Sequence, residues 1–331
     1  MRTVALEEHF ATPAFMEGPG RGLGDLTSNR QPRPGMPEGF ALLPERLCDL
    51  GEGRIAQMDE AGVDVQVLSL NSPGVEQSDA ADAVEIAREA NELVAQAKAR
   101  FPGRLEGFAT IPTGTPVEAA EELGRAVEQL GMKGVAINGH VRGRYLDDEF
   151  FWPILQRAEA LQVPIYLHPT RPPKAVIEAA YTGNFSPAVT ALLSASGWGW
   201  HIDTAVHVLR IILSGAFDRY PKLQLIIGHM GEALPFMLQR VDHNLSRHVT
   251  KLDRSVAAYL RENVSYTFSG FNYTPTFLDL LLEVGVERIM FSADYPYASM
   301  ATATSFLGGL PVSPADRERI AHGNTERLLR L

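Results

Sequence analysis

The sequence predicts an α/β fold, a single (β/α)8 TIM barrel with long loops after the first and the fifth strand. Short apolar runs alternate with longer stretches of helical periodicity throughout the 331 residues, a rhythm that indicates a parallel sheet. There are eight such runs and the last is followed by a helix, which fits a closed barrel better than an open sheet. We therefore expect residues 1–331 to form one domain.

The eight strands are predicted from apolar runs bounded by turn residues. In chain order they are Thr3–Leu6, Val63–Leu70, Arg104–Thr110, Met132–Asn138, Val163–His168, Leu223–Gly228, Val264–Ser269 and Arg288–Ala293. An open, doubly wound sheet would show a glycine-rich phosphate-binding turn after its first strand. The chain continues there as EEHF, which again favours the barrel.

Helical patterns fill the spaces between these runs. In one of them apolar residues recur at i, i+4, i+7 and i+11, namely Ile86, Ala90, Leu93 and Ala97. The last helix is predicted from about Ser313 to Leu331, because a serine followed by a proline is a typical N-cap and first helical position.

Two connections are much longer than the usual two to six residues. One runs from Ala11 to about Leu47 and is rich in glycine and proline; the other runs from Pro169 to about Trp200. Both follow strands on the face where barrel active sites lie, which favours a substrate lid over a variable surface insertion. We expect the first connection to influence substrate choice.

Composition excludes several classes of protein. The chain has 40 acidic and 30 basic residues, a net charge of −10 that argues against a nucleic-acid partner. It contains no apolar run long enough for a membrane span and no apolar segment typical of a secretion signal. Cys48 is the single cysteine, so there is no disulfide within the chain, and we expect a cytoplasmic location.

Polar side chains end four of the predicted strands. Glu7 and His9 lie two positions apart, so they point to one face while Glu8 points to the other. Three further strands end on His168, His229 and Asp294. A single histidine of this kind is more often a hydrogen-bonded structural residue, and Glu-x-His alone is a weak signal. The carboxyl ends of barrel strands meet on one face, however, so the sequence predicts a metal site there.

The remaining histidines are expected outside this site. His207 lies in a helical pattern. The others lie in loops or on helix faces: His140, His201, His243, His248 and His322. Of these, His140 and His201 could reach the pocket. Aromatic residues flank the predicted mouth and could form flat walls for a ring, or be ordinary packing: Trp198, Trp200, Tyr295 and Tyr297.

Polar residues after strands one, five, six and eight resemble the metal-binding pattern of the amidohydrolase superfamily. The segments that carry the resemblance are VALEEHF, DVQVLSLNSP, VPIYLHP, TAVHVLR, LIIGHMGE, LPFMLQRVDH and FSADYP. EEHF, GHMGE and SADYP resemble in particular its branch of metal-dependent, non-oxidative aromatic acid decarboxylases. That branch includes γ-resorcylate, 2,3-dihydroxybenzoate and 5-carboxyvanillate decarboxylases.

The resemblance implies a role for each site residue. The metal ligands would be Glu7, His9, His168 and Asp294; the catalytic pair His229 and Glu232; and the substrate or ligand contacts Arg240 and Asn138. Glu232 is predicted in the first turn of the next helix, where it can reach back to His229 or serve as a helix-terminal charge. Binuclear relatives carry a carbamylated lysine at the end of strand four, where this chain has Asn138. One divalent ion, Zn²⁺ or Mn²⁺, is therefore expected, with no organic cofactor.

The implied activity is decarboxylation of an ortho-hydroxy aromatic acid, with Asp294 as the proton donor and His229 as its partner. A hydrolase such as a lactonase or amidase, with Asp294 acting as a base toward water, remains the alternative. A hydratase is a variant of it, and a ligand-binding barrel without activity is the non-enzymatic case. The family leads us to expect a small aromatic carboxylate as ligand and a homodimer or homotetramer, with no nucleic acid and no membrane.

Overall fold

A computed structural model describes residues 1–23 and 42–331 of the chain. Its eight parallel strands are β1 Val4–Phe10, β2 Val65–Leu70, β3 Leu105–Gly107, β4 Val135–Asn138, β5 Ile165–His168, β6 Leu225–Ile227, β7 Val264–Thr267 and β8 Ile289–Met290. Each overlaps one predicted run. The main difference is β1, which continues through EEHF instead of ending at Leu6, so the first polar pair lies within a strand.

Parallel pairing arranges the strands in a ring. β1, β2 and β3 form one sheet, and β4 to β8 form a second in sequence order. Single parallel bridges connect the two sheets at both seams, from Ala109 to Val135 and from Leu6 to Ser292. The predicted (β/α)8 architecture is confirmed, with much sparser pairing at these two seams than elsewhere.

Helices occupy the connections around the ring. The longer ones are Glu52–Ala61, Ala80–Arg100, Pro116–Glu128, Trp152–Leu161, Gly199–Leu213, Leu234–Asn244, Val256–Glu262, Thr274–Val284 and Met300–Gly308. The helix Ala80–Arg100 buries Ile86, Ala90 and Ala97, and Leu93 is half-buried against the same core, as the predicted periodicity requires.

The predicted C-terminal helix forms in three pieces. They are Pro314–Glu318, a π-helical turn Arg319–Gly323 and Asn324–Leu329. The hydroxyl of Ser313 accepts a hydrogen bond from the backbone N–H of Asp316, so the predicted N-cap is confirmed.

The two long connections leave the carboxyl ends of β1 and β5, as predicted. The first contains short helices Pro13–Glu17 and Leu43–Cys48, and residues 24–41 of it lie outside the described part of the chain. The second contains helices Lys174–Ala180 and Pro187–Leu193, which the sequence analysis did not predict. Both connections therefore start on the face that carries the polar strand ends.

The ring is filled with apolar side chains below that face. The inward cluster includes Val4, Leu6, Val65, Val67, Phe108, Ile226 and Met290, all at most 2% exposed. A larger cluster packs between the strands and the surrounding helices. This burial holds the strand ends rigidly, which a precise polar site requires. Among the described residues, no helix combines the length and hydropathy of a membrane span.

Candidate metal centre and active site

The polar strand ends meet at the carboxyl end of the barrel. His168 Nε2 lies 3.2 Å from Glu7 Oε1, and His9 Nε2 lies 3.1 Å from Asp294 Oδ1. Glu7, His9 and His168 are buried, and their ligand atoms lie within 4.8 Å of one another. The structure therefore brings together the four residues that were predicted as metal ligands.

The two carboxylate oxygens of Glu7 have different surroundings. The hydroxyls of Tyr166 and Ser269 donate to Oε2, with Thr267 a further donor at 3.4 Å. Oε1 is buried and has no hydrogen-bond partner among the described residues. A carboxylate saturated on one oxygen and open on the other, next to two imidazoles, fits a ligand of a divalent ion such as Zn²⁺ or Mn²⁺.

A glycine at the end of β6 makes room for this carboxylate. A Cβ atom on Gly228 would lie 2.4 Å from Glu7 Oε2, well inside van der Waals contact. Any other residue at position 228 would displace Glu7.

Burial and neighbouring charges set the protonation of the cluster. Burial alone would raise the pKa of Glu7, but the charges of His229 and His168 outweigh it and lower that pKa. Burial lowers the pKa of His9 to about 3, so its imidazole is neutral, the form that binds a metal. Burial, reinforced by the Glu7 carboxylate, raises the pKa of Asp294 well above its ordinary value. Of the two carboxyl groups in the cluster, Asp294 is thus the one suited to hold a proton.

The predicted pair of His229 and Glu232 is present. His229 Nδ1 lies 2.7 Å from Glu232 Oε1, and both side chains are buried. Burial alone would lower the pKa of His229, but Glu232 and then Glu7 outweigh it and raise that pKa to about 10. The imidazole is therefore cationic at neutral pH and paired with a carboxylate.

Glu232 does not lie in the first turn of a helix, as the sequence analysis expected. The helix begins at Leu234, and the five residues from His229 to Ala233 all have φ between 50° and 92°. A left-handed conformation costs roughly 1–2 kcal/mol for each residue other than glycine. This turn keeps the side chains at positions 229 and 232 together without a right-handed turn. Glu7 and Asp294 also have positive φ, so strained backbone is concentrated at the site.

His201 is a site residue that the sequence analysis placed outside. Its Nδ1 lies 2.5 Å from Glu232 Oε2, and Trp200 Nε1 donates to its Nε2 at 3.0 Å. The ring of Phe271 packs against both His201 and His229. The available signal was the start of the helix Gly199–Leu213 directly after the long connection, which places His201 near the barrel mouth.

His201, His229 and Glu232 also have ligand atoms within 4.8 Å of one another. Both oxygens of Glu232 are already hydrogen-bonded to an imidazole Nδ1, whereas Glu7 Oε1 accepts no hydrogen bond among the described residues and has His168 Nε2 at 3.2 Å. The charges of this second group are therefore balanced without an ion, which favours Glu7, His9 and His168 as the ion site.

Two other histidines lie where they were expected. His207 is buried in the helix Gly199–Leu213 and accepts a hydrogen bond from Leu146 N at 2.8 Å. His140 accepts from Gly143 N and lies 3.1 Å from the carbonyl of Arg171. No hydrogen bond among the described residues connects either one to the metal cluster.

The predicted substrate contacts lie in different places. Asn138 pairs in register with His168, and its Oδ1 has no partner among the described residues. The ring of Tyr297 packs edge-on against His9, and its hydroxyl donates to Asn71 Oδ1. Arg240 is exposed on the helix Leu234–Asn244, so the structure does not bring it to the cluster of its own chain.

The aromatic residues predicted at the barrel mouth also differ in their surroundings. Trp200 is partly buried beside His201, and Trp198 is 51% exposed. Tyr295 has the second of the two roles considered for it, ordinary packing: its ring lies against the guanidinium of Arg54 and its hydroxyl donates to Gln57.

Comparisons with known proteins agree with this geometry. Residues 40–331 match the model of a family described as Amidohydrolase. Gamma-resorcylate decarboxylase from Polaromonas sp. strain JS666 is 38% identical, with 99% of this chain and 98% of that protein covered. The enzyme of the same name from Rhizobium radiobacter is 36% identical, with the same coverage.

Solved structures are similar over the whole chain. A dihydroxybenzoic acid decarboxylase from Polaromonas sp. JS666, with bound manganese and the inhibitor 2-nitroresorcinol, has a TM-score of 0.88 at 37% identity, covering 100% of this chain and 97% of that one. A 5-carboxyvanillate decarboxylase from Novosphingobium aromaticivorans, complexed with manganese and 4-hydroxy-3-methoxy-5-nitrobenzoic acid, has a TM-score of 0.89 at 34% identity, covering 100% and 96%.

Proposed function

The chain belongs to the amidohydrolase family, and from this premise we propose that it is a metal-dependent, non-oxidative decarboxylase of an ortho-hydroxy aromatic carboxylic acid. The protein is a carboxy-lyase, an enzyme that breaks a carbon–carbon bond. The supporting observation is the cluster of the buried Glu7, His9 and His168 with the partly buried Asp294, in a chain that aligns over nearly its whole length with a γ-resorcylate decarboxylase.

One divalent ion would be held by these four residues. When bound, it supplies a positive charge that attracts the substrate carboxylate and ortho oxygen and fixes the ring beside Asp294. Mn²⁺ is the ion we propose, because the related decarboxylases were solved with manganese, and Zn²⁺ is the alternative. No organic cofactor enters the reaction.

Asp294 is the proposed general acid of the reaction. An arene carboxylate does not lose CO2 readily while its ring is aromatic, because the electron pair of the breaking bond has nowhere to go. Asp294, which burial keeps prone to protonation, donates its proton to the ring carbon that bears the carboxylate. The C–C bond then breaks, its electron pair restores the aromatic ring, and CO2 leaves.

His229 restores the proton that Asp294 has lost. The reaction consumes one proton in each turnover, so the carboxylate left on Asp294 must be reprotonated from outside. His229 is cationic at neutral pH, and Glu232 stabilises it by a hydrogen bond at 2.7 Å. Glu232 in turn shares its second oxygen with His201, which keeps the carboxylate fixed between the two rings.

Substrate contacts are assigned to Asn138 and Tyr297. The open Oδ1 of Asn138 can accept from a ring hydroxyl beside His168, and Tyr297 forms an aromatic wall next to His9. The proposal for Arg240 rests on the family resemblance, because its side chain is exposed. The connection from Ala11 to Leu47 is proposed to set substrate choice, since it leaves β1 directly after the cluster.

We also propose that residues 1–331 form one domain and that chains associate in a homodimer or homotetramer. An exposed apolar surface on the adjacent helices Leu234–Asn244 and Thr274–Val284 supports association. It consists of Phe236, Met237, Leu278 and Leu282, of which Phe236 and Leu282 are 79% and 83% exposed. Light scattering should give a dimer or tetramer mass that falls in Phe236→Asp. A cytoplasmic location is proposed because Cys48, the one cysteine of the sequence, leaves no disulfide to form within the chain.

The decisive experiment is product analysis on a panel of acids. With Mn²⁺, the purified protein should release CO2 from at least one of 2,6-dihydroxybenzoate, 2,3-dihydroxybenzoate, salicylate and 5-carboxyvanillate. Para-hydroxybenzoate, which lacks the ortho hydroxyl, is the matched control and should not react. In D2O the product should carry one deuterium at the former carboxyl position. Rapid hydrolysis of a lactone or amide, with no CO2 from any acid, would assign the protein to the hydrolases instead.

A further inference from the structure

Glu8 lies between two residues of the metal cluster but points away from it. It is 0% exposed. Its Oε1 accepts from Ala293 N at 2.8 Å, and its Oε2 accepts from Tyr295 N at 3.3 Å. These two N–H groups stand immediately before and immediately after Asp294. One carboxyl group on β1 therefore holds the backbone on both sides of the proposed proton donor.

Asp294 needs such support because its own backbone is strained. Its φ is 68°, a left-handed conformation that costs an ordinary residue about 1–2 kcal/mol. Rotation back to a right-handed conformation would swing the side chain away from His9. The hydrogen bonds that Glu8 accepts from the two flanking peptide groups oppose that rotation.

The support continues from Glu8 into a buried network. Gln66 Nε2 donates to Glu8 Oε2 at 3.2 Å, and Arg54 donates to Gln66 Oε1 at 3.1 Å. Arg54, also 0% exposed, donates in addition to the backbone carbonyl of His9 at 2.7 Å. The same network therefore holds the backbone of His9 and of Asp294.

This network crosses the weakly paired seam of the barrel. Between β8 and β1 the strands share one bridge, from Leu6 to Ser292, and beyond it one backbone hydrogen bond, from His9 N to Tyr295 O at 2.7 Å. The 3.1 Å contact from His9 Nε2 to Asp294 Oδ1 spans the same seam. The side-chain hydrogen bonds of this network therefore help to fix the alignment of β8 against β1. Between strands of the same sheet, a regular series of backbone hydrogen bonds fixes that alignment.

We propose that Glu8 is a positioning residue that sets the direction of the Asp294 carboxylate relative to His9. Glu8 does not touch substrate or metal and acts through the backbone of residues 293–295. The expected effect on turnover rests on the proposed function, whereas the effect on metal affinity does not.

The test replaces Glu8 with glutamine, which keeps the size but turns one acceptor into a donor that faces a backbone N–H. The matched control is Glu122→Gln, a buried glutamate that pairs with Asn91 and Arg125 away from the site. Glu8→Gln should lower kcat about 10- to 100-fold, as is common for groups that orient metal ligands, and change KM much less. Glu122→Gln should leave both unchanged.

Mn²⁺ affinity of the metal-free protein gives a readout independent of turnover. Glu8→Gln should weaken Mn²⁺ binding about 10-fold or more in the parent and clearly less in an Asp294→Ala background, because two changes that act through one residue are not additive. Equal weakening in both backgrounds, or an unchanged kcat and Mn²⁺ affinity, would overturn the proposal. If Glu8→Gln fails to fold, Gln66→Leu serves instead, with a smaller loss in the same direction expected.

Failure of the proposed function would look different. A parent enzyme that releases no CO2 from any acid would refute the decarboxylase, while the Mn²⁺ comparison would still decide the role of Glu8.

Discussion

The two ends of the barrel hold charged residues in opposite ways. At the carboxyl end, Glu7, His9 and His168 are buried and face one another. At the amino end, a cavity of about 620 Å³ is lined by several cationic side chains, among them Lys222, Arg288, Arg327 and Arg330. There Arg288 donates to the neutral Gln224 and Arg327 pairs with Glu287 at the surface.

The contrast shows that a candidate active site is distinguished by the burial and pairing of its charged groups, and not by the volume of its cavity. Lys222, Arg327 and Arg330 are exposed and solvated, and the half-buried Arg288 pairs with a neutral side chain, so each can be replaced at little cost to the others. Buried charges depend on their partners, and a buried carboxylate oxygen that accepts no hydrogen bond among the described residues, such as Glu7 Oε1, is suited to bind an ion. Convergence of buried groups therefore identifies the candidate site better than cavity volume does. Each of the following predictions tests this difference between the two ends.

Metal removal should have the largest effect. Exhaustive chelation should abolish decarboxylation, and activity should return with one Mn²⁺ per chain, because four ligands converge on one point. Elemental analysis and a CO2 assay measure both quantities. Full activity after chelation, or two tightly bound ions per chain, would contradict a single essential ion at the carboxyl end.

Asp294→Asn should come next. The amide can still coordinate through its oxygen but cannot deliver a proton, so kcat should fall by about 10³–10⁴-fold, the upper range for loss of a general acid. Metal content, measured on the same sample, should stay near that of the parent. A kcat within tenfold of the parent would remove Asp294 from the role of proton donor.

His229→Asn should lower kcat by about 10²–10³-fold with the metal retained, because His229 is assigned to proton transfer and not to the ion. Elemental analysis decides the assignment. Loss of the metal in this variant would show that His229 is a ligand.

His201→Gln should lower kcat by only about tenfold, because Glu232 keeps its bond to His229 and loses one of its two imidazole partners. His207→Gln is the matched control on the same helix, since a glutamine oxygen can still accept from Leu146 N. Equal losses in both variants would mean that His201 acts by stabilising the helix, which thermal unfolding would reveal.

Arg288→Gln at the amino end should have the smallest effect. Its guanidinium pairs with a neutral side chain, so kcat should stay within about twofold of the parent and the melting temperature should change little. A tenfold loss of kcat with intact stability would show that the two ends of the barrel are functionally coupled.

Much of this architecture could be predicted from the sequence, because its signals are local. Apolar runs and turn residues located all eight strands, and polar residues at strand ends located Glu7, His9, His168, His229 and Asp294. The sequence failed to predict the positions of those site side chains that depend on left-handed turns or on distant parts of the chain. Glu232 was placed in the first turn of a helix, and His201 was expected outside the site.

The sequence by itself determined which polar residues follow each apolar run, because a run and its polar end are patterns of neighbouring residues. Only the tertiary structure decided the distances across the barrel mouth, such as the 2.5 Å from His201 to Glu232 and the attachment of Glu8 on either side of Asp294. These contacts join residues as far as 287 positions apart and depend on left-handed turns and on how the ring closes. Their conformations are unfavourable locally and are maintained by the packing of the whole barrel, so no local pattern encodes them.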